Sequence, residues 1–178
     1  MDGVQVREET PDDVRAIDVV NLSAFQGENE AKFVTALRRS PAFIPELSLV
    51  AELNGRIVGH ILLSAVMLLG KSGEKKVLAL GPMSVVPSQS HRGIGTALVR
   101  AAVTKAGSLG YAGIVVVGEP EFYRKLGFES ASKWGLRTSL PLAADLVTAI
   151  ELIAGALNGG GLVRYPELFL DLYAPARQ

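Results

Sequence analysis

The sequence predicts a mixed α/β domain of the α+β kind, with antiparallel strands ahead of a strand-helix-strand crossover. Two β-suited apolar runs, 47–53 and 56–67, flank Asn54-Gly55, the strongest short hairpin signal there is. An apolar run at 80–86 passes through Pro87 and the polar turn 88–95 into a long amphipathic helical pattern. A continuous apolar run, 113–118, follows, of the kind that forms a strand buried on both faces. A crossover of this size sets its two strands parallel.

Taken in order, Val4-Gln5-Val6-Arg7-Glu8 alternates apolar and polar, as a half-buried strand does. Thr10, Pro11 and Asp13 then supply an N-cap, a proline at the first helical position and a capping-box carboxylate. A helix is expected from Pro11, with Val14, Ile17, Val20 and Ala24 along its buried side. Residues 26–29 break it. A second amphipathic helix carries Phe33 and Leu37 to Pro41, and Pro41 and Pro45 mark a loop. In the hairpin that follows, Gly59 is a place for a bulge. Residues 71–76 read as a polar turn and 77–86 as the third strand. The helix after the glycine turn has Ile94, Leu98, Ala102 and Leu109 near one line and Gly110 at its C-cap. Residues 120–126 read as a short helix, with Pro120 near its start and Gly127 at its end. The tail gives a strand at 146–152, a glycine loop at 158–161 and a last strand at 162–165. There is no internal repeat and no low-complexity linker.

Composition bounds the reading. A chain of 178 residues supports one core burying roughly 70% of its unfolded surface. One domain, 1–178, is expected, with its core at about 4–135 and the remainder completing the sheet. Lys plus Arg and Asp plus Glu both count 18, so no global field draws nucleic acid or an anionic membrane. The absence of Cys excludes disulfides, thiolate metal sites and cysteine nucleophiles together. His60 and His91 belong to no ligand cluster, so no metal is expected. The first ten residues lack the apolar stretch of a signal peptide. The longest apolar run, 61–69, contains Ser64 and falls far short of the ~20 residues a membrane span needs. A soluble, cytoplasmic protein is the expectation.

The polar turn carries the chemistry. A β segment feeding a glycine turn that opens a helix aims free N–H groups and the positive helix end at one spot. An anion belongs there, and a cofactor phosphate is its natural form. A Rossmann fingerprint asks for a third glycine where Leu98 stands. A Walker loop also fails, because no Gly-Lys-Ser or Gly-Lys-Thr lies in the glycine turn, and the chain's Gly70-Lys71-Ser72 has Ala65 where the loop's first glycine belongs.

His91-Arg92-Gly93-Ile94-Gly95-Thr96-Ala97, with Phe122-Tyr123 and Gly127-Phe128 downstream, resembles the GNAT acyltransferase superfamily over residues 4–128. The phrases 45–51, 58–62, 118–123 and 161–166 are similar to a bacterial subgroup of predicted acetyltransferases, the YhbS type. The resemblance implies a mixed, mostly antiparallel seven-stranded sheet, splayed between its fourth and fifth strands and flanked by helices. It further implies acetyl-CoA as cosubstrate and a primary amine of a small molecule or peptide as acceptor.

On the family pattern, Arg92, Gly93, Ile94, Gly95 and Thr96 offer amides to the pyrophosphate, and Thr96 adds a hydroxyl. His91 and Arg92 stand either as solvated loop residues or as side-chain phosphate contacts. Ser84, Val85 and Val86 fall where a splayed strand pairs its backbone with pantetheine; plain core packing is the other reading of these three. Ser90 departs from the family's Gln or Arg, with Gln89 one place early. Tyr123, four residues before Gly127, falls on the tyrosine that gives a proton to the leaving thiolate, a role a phenol of pKa ~10 can fill; a buried structural tyrosine is the alternative.

The general base is unassigned among Glu46, His60, Glu119 and Glu151. The acceptor is expected between residues 25–29 and the 154–161 loop. The implied activity is N-acetyl transfer by direct attack. A non-catalytic CoA-binding sensor or interaction module is the alternative, and a homodimer is left open.

Overall fold

The computed structural model describes residues 3–173. One sheet runs through it in the order β1 (Val4–Glu8), β2 (Phe43–Leu53), β3 (Arg56–Gly70), β4 (Gly73–Val85), β5 (Gly113–Val117), β8 (Val147–Glu151), β6 (Glu129–Ser130), with β9 (Gly161–Arg164) paired to β3 and β7 (Leu136–Thr138) to β9. Seven of its strands, β1 to β5, β8 and β9, are those read from the sequence, in a mostly antiparallel sheet as expected. Strands β6 and β7 extend it to nine.

Strand β1 (Val4–Glu8) pairs antiparallel with β2 (Phe43–Leu53). Between them, Pro11–Asp13 forms a single 3-10 turn with the expected capping box at Thr10, and α1 (Val14–Ala24) and α2 (Asn29–Arg38) follow. Asn54 and Gly55, both at positive φ, turn the chain from β2 into β3 (Arg56–Gly70). The ladder slips between Ala51↔Gly59 and Glu52↔Ile57, a bulge beside Gly59.

Two boundaries differ from the sequence reading. Pro45 lies inside β2, where five steps from Phe43 to Ser48 oppose two steps of β3, from Ser64 to Leu62. A bulge of that size leaves a proline with no ladder N–H to supply. The polar turn shrinks to Lys71-Ser72, because Glu74, Lys75 and Lys76 already pair with Leu69, Leu68 and Met67. Strand β4 therefore spans Gly73–Val85.

Helix α3 (Ile94–Ser108) crosses to β5 (Gly113–Val117), which lies parallel to β4. Leu109 ends the helix 43% exposed rather than on its buried line. Beyond β5 come α4 (Pro120–Arg124), β6 (Glu129–Ser130), β7 (Leu136–Thr138), β8 (Val147–Glu151), β9 (Gly161–Arg164) and α5 (Leu170–Tyr173).

Strand alternation divides the core. Leu62, Val66, Val77, Ala79 and Val115 face Ile17 of α1 and Phe33, Val34 and Leu37 of α2. Ile61, Leu63, Leu78, Leu80, Ile114 and Val116 face Leu98, Val99 and Ala102 of α3 and Tyr123 of α4. Helix α3 comes close at Gly59, where a Cβ would lie 3.0 Å from Leu98 Cδ1 and 3.2 Å from Ile94 Cγ2. That face fixes where α3 begins, and so where its N-terminus points.

Candidate active site

Strands β4 and β5 hold together over three pairs only, Leu78↔Ile114, Ala79↔Val115 and Leu80↔Val116. Beyond them β4 bulges at Gly81-Pro82, so that three steps from Leu80 to Met83 oppose two of β3, from Leu63 to Ile61. It then continues beside β3 alone. Val86 donates its N–H to the Val58 carbonyl at 2.8 Å, so alternation turns the main chain of Ser84 and Val86 toward β3. The main-chain groups of Met83 and Val85 face the opposite edge, which β5 has left. The Ser84 side chain is committed as well: its hydroxyl donates to Asn21 Oδ1 at 3.0 Å. Buried Asn21 was not singled out in the sequence.

The N-terminus of α3 sits at the end of this open edge. Gly93 is its N-cap at φ +79, and the first helical bond runs from Ala97 N–H to the Gly93 carbonyl at 3.0 Å. The N–H groups of Ile94, Gly95 and Thr96 precede it and have no carbonyl one turn back. Gly95 is also tight, since a Cβ there would lie 3.3 Å from Met83 Cε. Ser90 turns inward on its own loop, its hydroxyl donating to the Pro87 carbonyl at 2.8 Å. Arg92 is exposed and donates to Gln89 Oε1 at 2.9 Å. His91 is exposed at φ +60.

A cleft of about 290 Å³ fills the splay. Leu80, Gly81, Met83, Val116 and Val117 line it from the strands, and Glu119 and Tyr123 from the loop and helix after β5. Tyr123 is 5% exposed and wedged edge-on between Phe122 and Phe128, with ring centroids 5.0 and 5.4 Å away. Burial pushes its hydroxyl well above the ordinary phenol range, and the Glu119 carboxylate and Tyr173 push the same way. The group therefore stays protonated at neutral pH, as a proton donor must.

Of the four candidates for a base, Glu119 alone lines this cleft. His60 is fully buried under α1, with Nε2 2.9 Å from Ser48 Oγ, and burial, then the Arg38 charge, lower its pKa to about 3. Glu151 accepts the Leu157 N–H at 2.9 Å. Glu46 stands exposed in the β2 bulge. The 154–161 loop is also elsewhere. It packs on the β3-β4 turn, where Lys75 donates to the Ala156 carbonyl. That turn lies about 25 Å along β4 from Gly81 at ~3.3 Å per residue. Phe25, Glu30, Leu172 and Tyr173 close the cleft in its place. Phe25 falls within the expected boundary; Glu30 and the C-terminal pair do not, and no local pattern marks them. Among the described residues, no group of three His, Asp or Glu gathers to hold a metal, and no helix is long and apolar enough to cross a membrane.

An open strand edge, a glycine-capped helix start at its end and a buried tyrosine in the adjoining cleft are the parts of an acyltransferase of the GNAT type. The Acetyltransferase (GNAT) family model matches residues 17–128, and the chain belongs to that family. It is 32% identical over 166 residues to the Uncharacterized N-acetyltransferase YhbS of Escherichia coli strain K12, covering 92% of this chain and 97% of that protein. The crystal structure of Escherichia coli YhbS in complex with CoA superposes with a TM-score of 0.87 at 30% identity, covering 94% and 92% of the two chains. A GNAT acetyltransferase from Brucella melitensis in complex with acetyl-CoA gives 0.76 at 29% identity, covering 95% and 99%.

Proposed function

We propose that this chain is an acetyl-CoA-dependent N-acetyltransferase that acts on a primary amine by direct attack. The observation that carries the reading is the open edge of β4 at Met83 and Val85, lying between the α3 N-terminus and Tyr123. Pantetheine is an extended chain with two amides, and a strand edge with unused N–H and C=O groups suits it as a further strand would. The amides of Ile94, Gly95 and Thr96 suit the pyrophosphate, held by main chain and helix dipole. That solution needs no glutamine or arginine side chain at position 90, where Ser90 bonds its own turn. Arg92 and His91 are placed to add charge at the rim. The complexes of the two similar proteins with CoA and acetyl-CoA support the same cosubstrate here.

The chemistry follows from the two titratable groups at the splay. Glu119 takes the proton that an ammonium must lose before its nitrogen can attack. The nitrogen forms a bond to the thioester carbonyl carbon, the carbon-sulfur bond breaks, and Tyr123 gives its hydroxyl proton to the departing thiolate. Glu119 passes that first proton to solvent; the second, lost by the nitrogen as the tetrahedral adduct collapses, goes to the freed carboxylate and from there through solvent to the phenolate, which closes the cycle.

Thiol release in an amine panel tests the reading. Tyr123→Phe is expected to lower kcat about 100-fold or more, the scale of a lost general acid, with acetyl-CoA affinity retained. A wild-type chain that binds acetyl-CoA yet acetylates no amine would instead establish the non-catalytic module.

A further inference from the structure

The second wall of the cleft is assembled from distant parts of the chain. Phe25 follows α1, Glu30 sits in the first turn of α2, and Leu172 and Tyr173 end α5. Helix α5 packs against α2, and Leu172 and Tyr173 rest on the core beneath it. Tyr173 reaches across to β4. Its hydroxyl lies 3.5 Å from the place a Cβ on Gly81 would take, an ordinary contact distance, so the phenol tip rests against the β4 bulge. Burial raises the Tyr173 hydroxyl to about 12, and the Glu30 carboxylate pushes the same way. Tyr173 in turn acts on Tyr123. Glu30, Tyr173 and Tyr123 thus share one small volume.

Its charge is one-sided. Glu30 and Glu119 line the cleft, and among the described residues no Lys, Arg or His does. A low-dielectric cleft bearing two carboxylates draws cations and repels carboxylates. Phe25 and Leu172 give the same wall an apolar flank. The cleft of about 290 Å³ must also admit the thioester end of the donor, so the share left to an acceptor is small.

We propose that Glu30 and Tyr173 form the acceptor pocket, and that the acceptor is a small primary amine, an ammonium head on an apolar body. The inference rests on the acetyltransferase reading and adds the substrate class and the residues that select it. Glu30 pairs with the ammonium, Tyr173 hydrogen-bonds and orients it, and Phe25 and Leu172 cover the apolar body. Tyr123 and Glu119 carry the proton transfers.

Steady-state kinetics on the full chain with acetyl-CoA tests this with three acceptor groups: aralkylamines, free amino acids and lysyl peptides. Aralkylamines are expected to show the highest kcat/KM. Glu30→Gln is expected to raise their KM about tenfold or more, the scale of a lost charged hydrogen bond. Its kcat should stay within about threefold, and its acetyl-CoA affinity should match the wild type. Glu30→Asp, which keeps the charge, should recover part of the KM, a rescue that a purely structural role would not give. Tyr173→Phe should raise KM in the same sense. A Glu30→Gln enzyme with wild-type KM overturns the proposal, as does a preference for lysyl peptides or amino acids. Failure of the acetyltransferase reading is separable, because it shows in the wild type: no acetyl-CoA binding and no thiol release with any amine.

Discussion

Leu80 and Val116 are the last pair at which β4 and β5 meet; three residues further on, Met83 has only β3 beside it. A parallel pair that ends while one strand continues leaves a row of unused N–H and C=O groups. Exposed edges of this kind are otherwise a liability, and here the row opens on the cleft.

That edge can be dissected by proline. Val86→Pro removes the N–H that Val58 accepts, so it should lower the melting temperature. Val85→Pro removes an N–H directed at the edge that β5 has left, and proline is tolerated on such edges. It should weaken acetyl-CoA binding about fivefold or more, the scale of one lost hydrogen bond, with a smaller effect on melting. Calorimetric titration and thermal melts of the two variants separate the effects, and the reverse pattern would show that the edge assignment is inverted.

The glycine turn makes a similar contrast. Gly93 adopts φ +79, a left-handed conformation that costs other residues about 1–2 kcal/mol. Gly93→Ala should therefore distort the helix start and weaken donor affinity several-fold. Ser90→Ala removes a hydroxyl that serves only its own turn and should leave acetyl-CoA affinity within about twofold, since the proposed phosphate donors are main chain.

Close packing of α3 on β3 predicts the effect of one methyl group. In Gly59→Ala, the new Cβ would meet Leu98 Cδ1 at 3.0 Å and the Ser84 carbonyl oxygen at 3.2 Å. Overpacking of this kind costs about 1–3 kcal/mol. For a chain of this size the melting temperature should fall ~2–4 °C per kcal/mol, which differential scanning calorimetry reads directly.

Acid should destabilise the fold in two stages. Burial, then the Arg38 charge, hold the folded His60 pKa near 3, against about 6.5 unfolded. Between those values the unfolded chain binds the extra proton, so stability falls as pH drops through that window, at up to about 1.4 kcal/mol per unit. The Glu9 carboxylate, 4.0 Å from Nε2 and paired with Arg38, is the one anion facing the ring among the described residues. Asp13 adds a second loss. Its carboxylate accepts from Arg7 and Thr10 and is held at about 2, so its contribution disappears as pH falls from about 4 toward 2. Urea melts across this range should show the upper slope vanish in His60→Gln.

Local signals made much of this legible in the sequence. Asn54-Gly55 places the hairpin, the glycines before α3 place the crossover, and Tyr123, singled out in the sequence, lines the cleft. What failed depended on tertiary pairing. Glu74, Lys75 and Lys76 read as a turn because their polarity hides a ladder that β3 supplies. Pro45 read as loop because a bulge, invisible in composition, absorbs it. Strands β6 and β7, of two and three residues, are too short to carry a period. The 154–161 loop read as a wall of the cleft but lies on the β3-β4 turn, and nothing local shows that α5 returns across α2 to set Tyr173 beside Gly81. The proposed phosphate amides need only backbone, which a glycine motif can mark; the side chains of the cleft's second wall converge from three segments, and no local pattern marks their meeting.

Titration of the wild-type chain with acetyl-CoA, followed by calorimetry and thermal shift, tests the central claim most directly. Saturable one-to-one binding that raises the melting temperature, with Tyr123→Phe binding equally well, is the expected result. No heat and no shift at saturating donor, or stabilisation by NAD in place of acetyl-CoA, would contradict it.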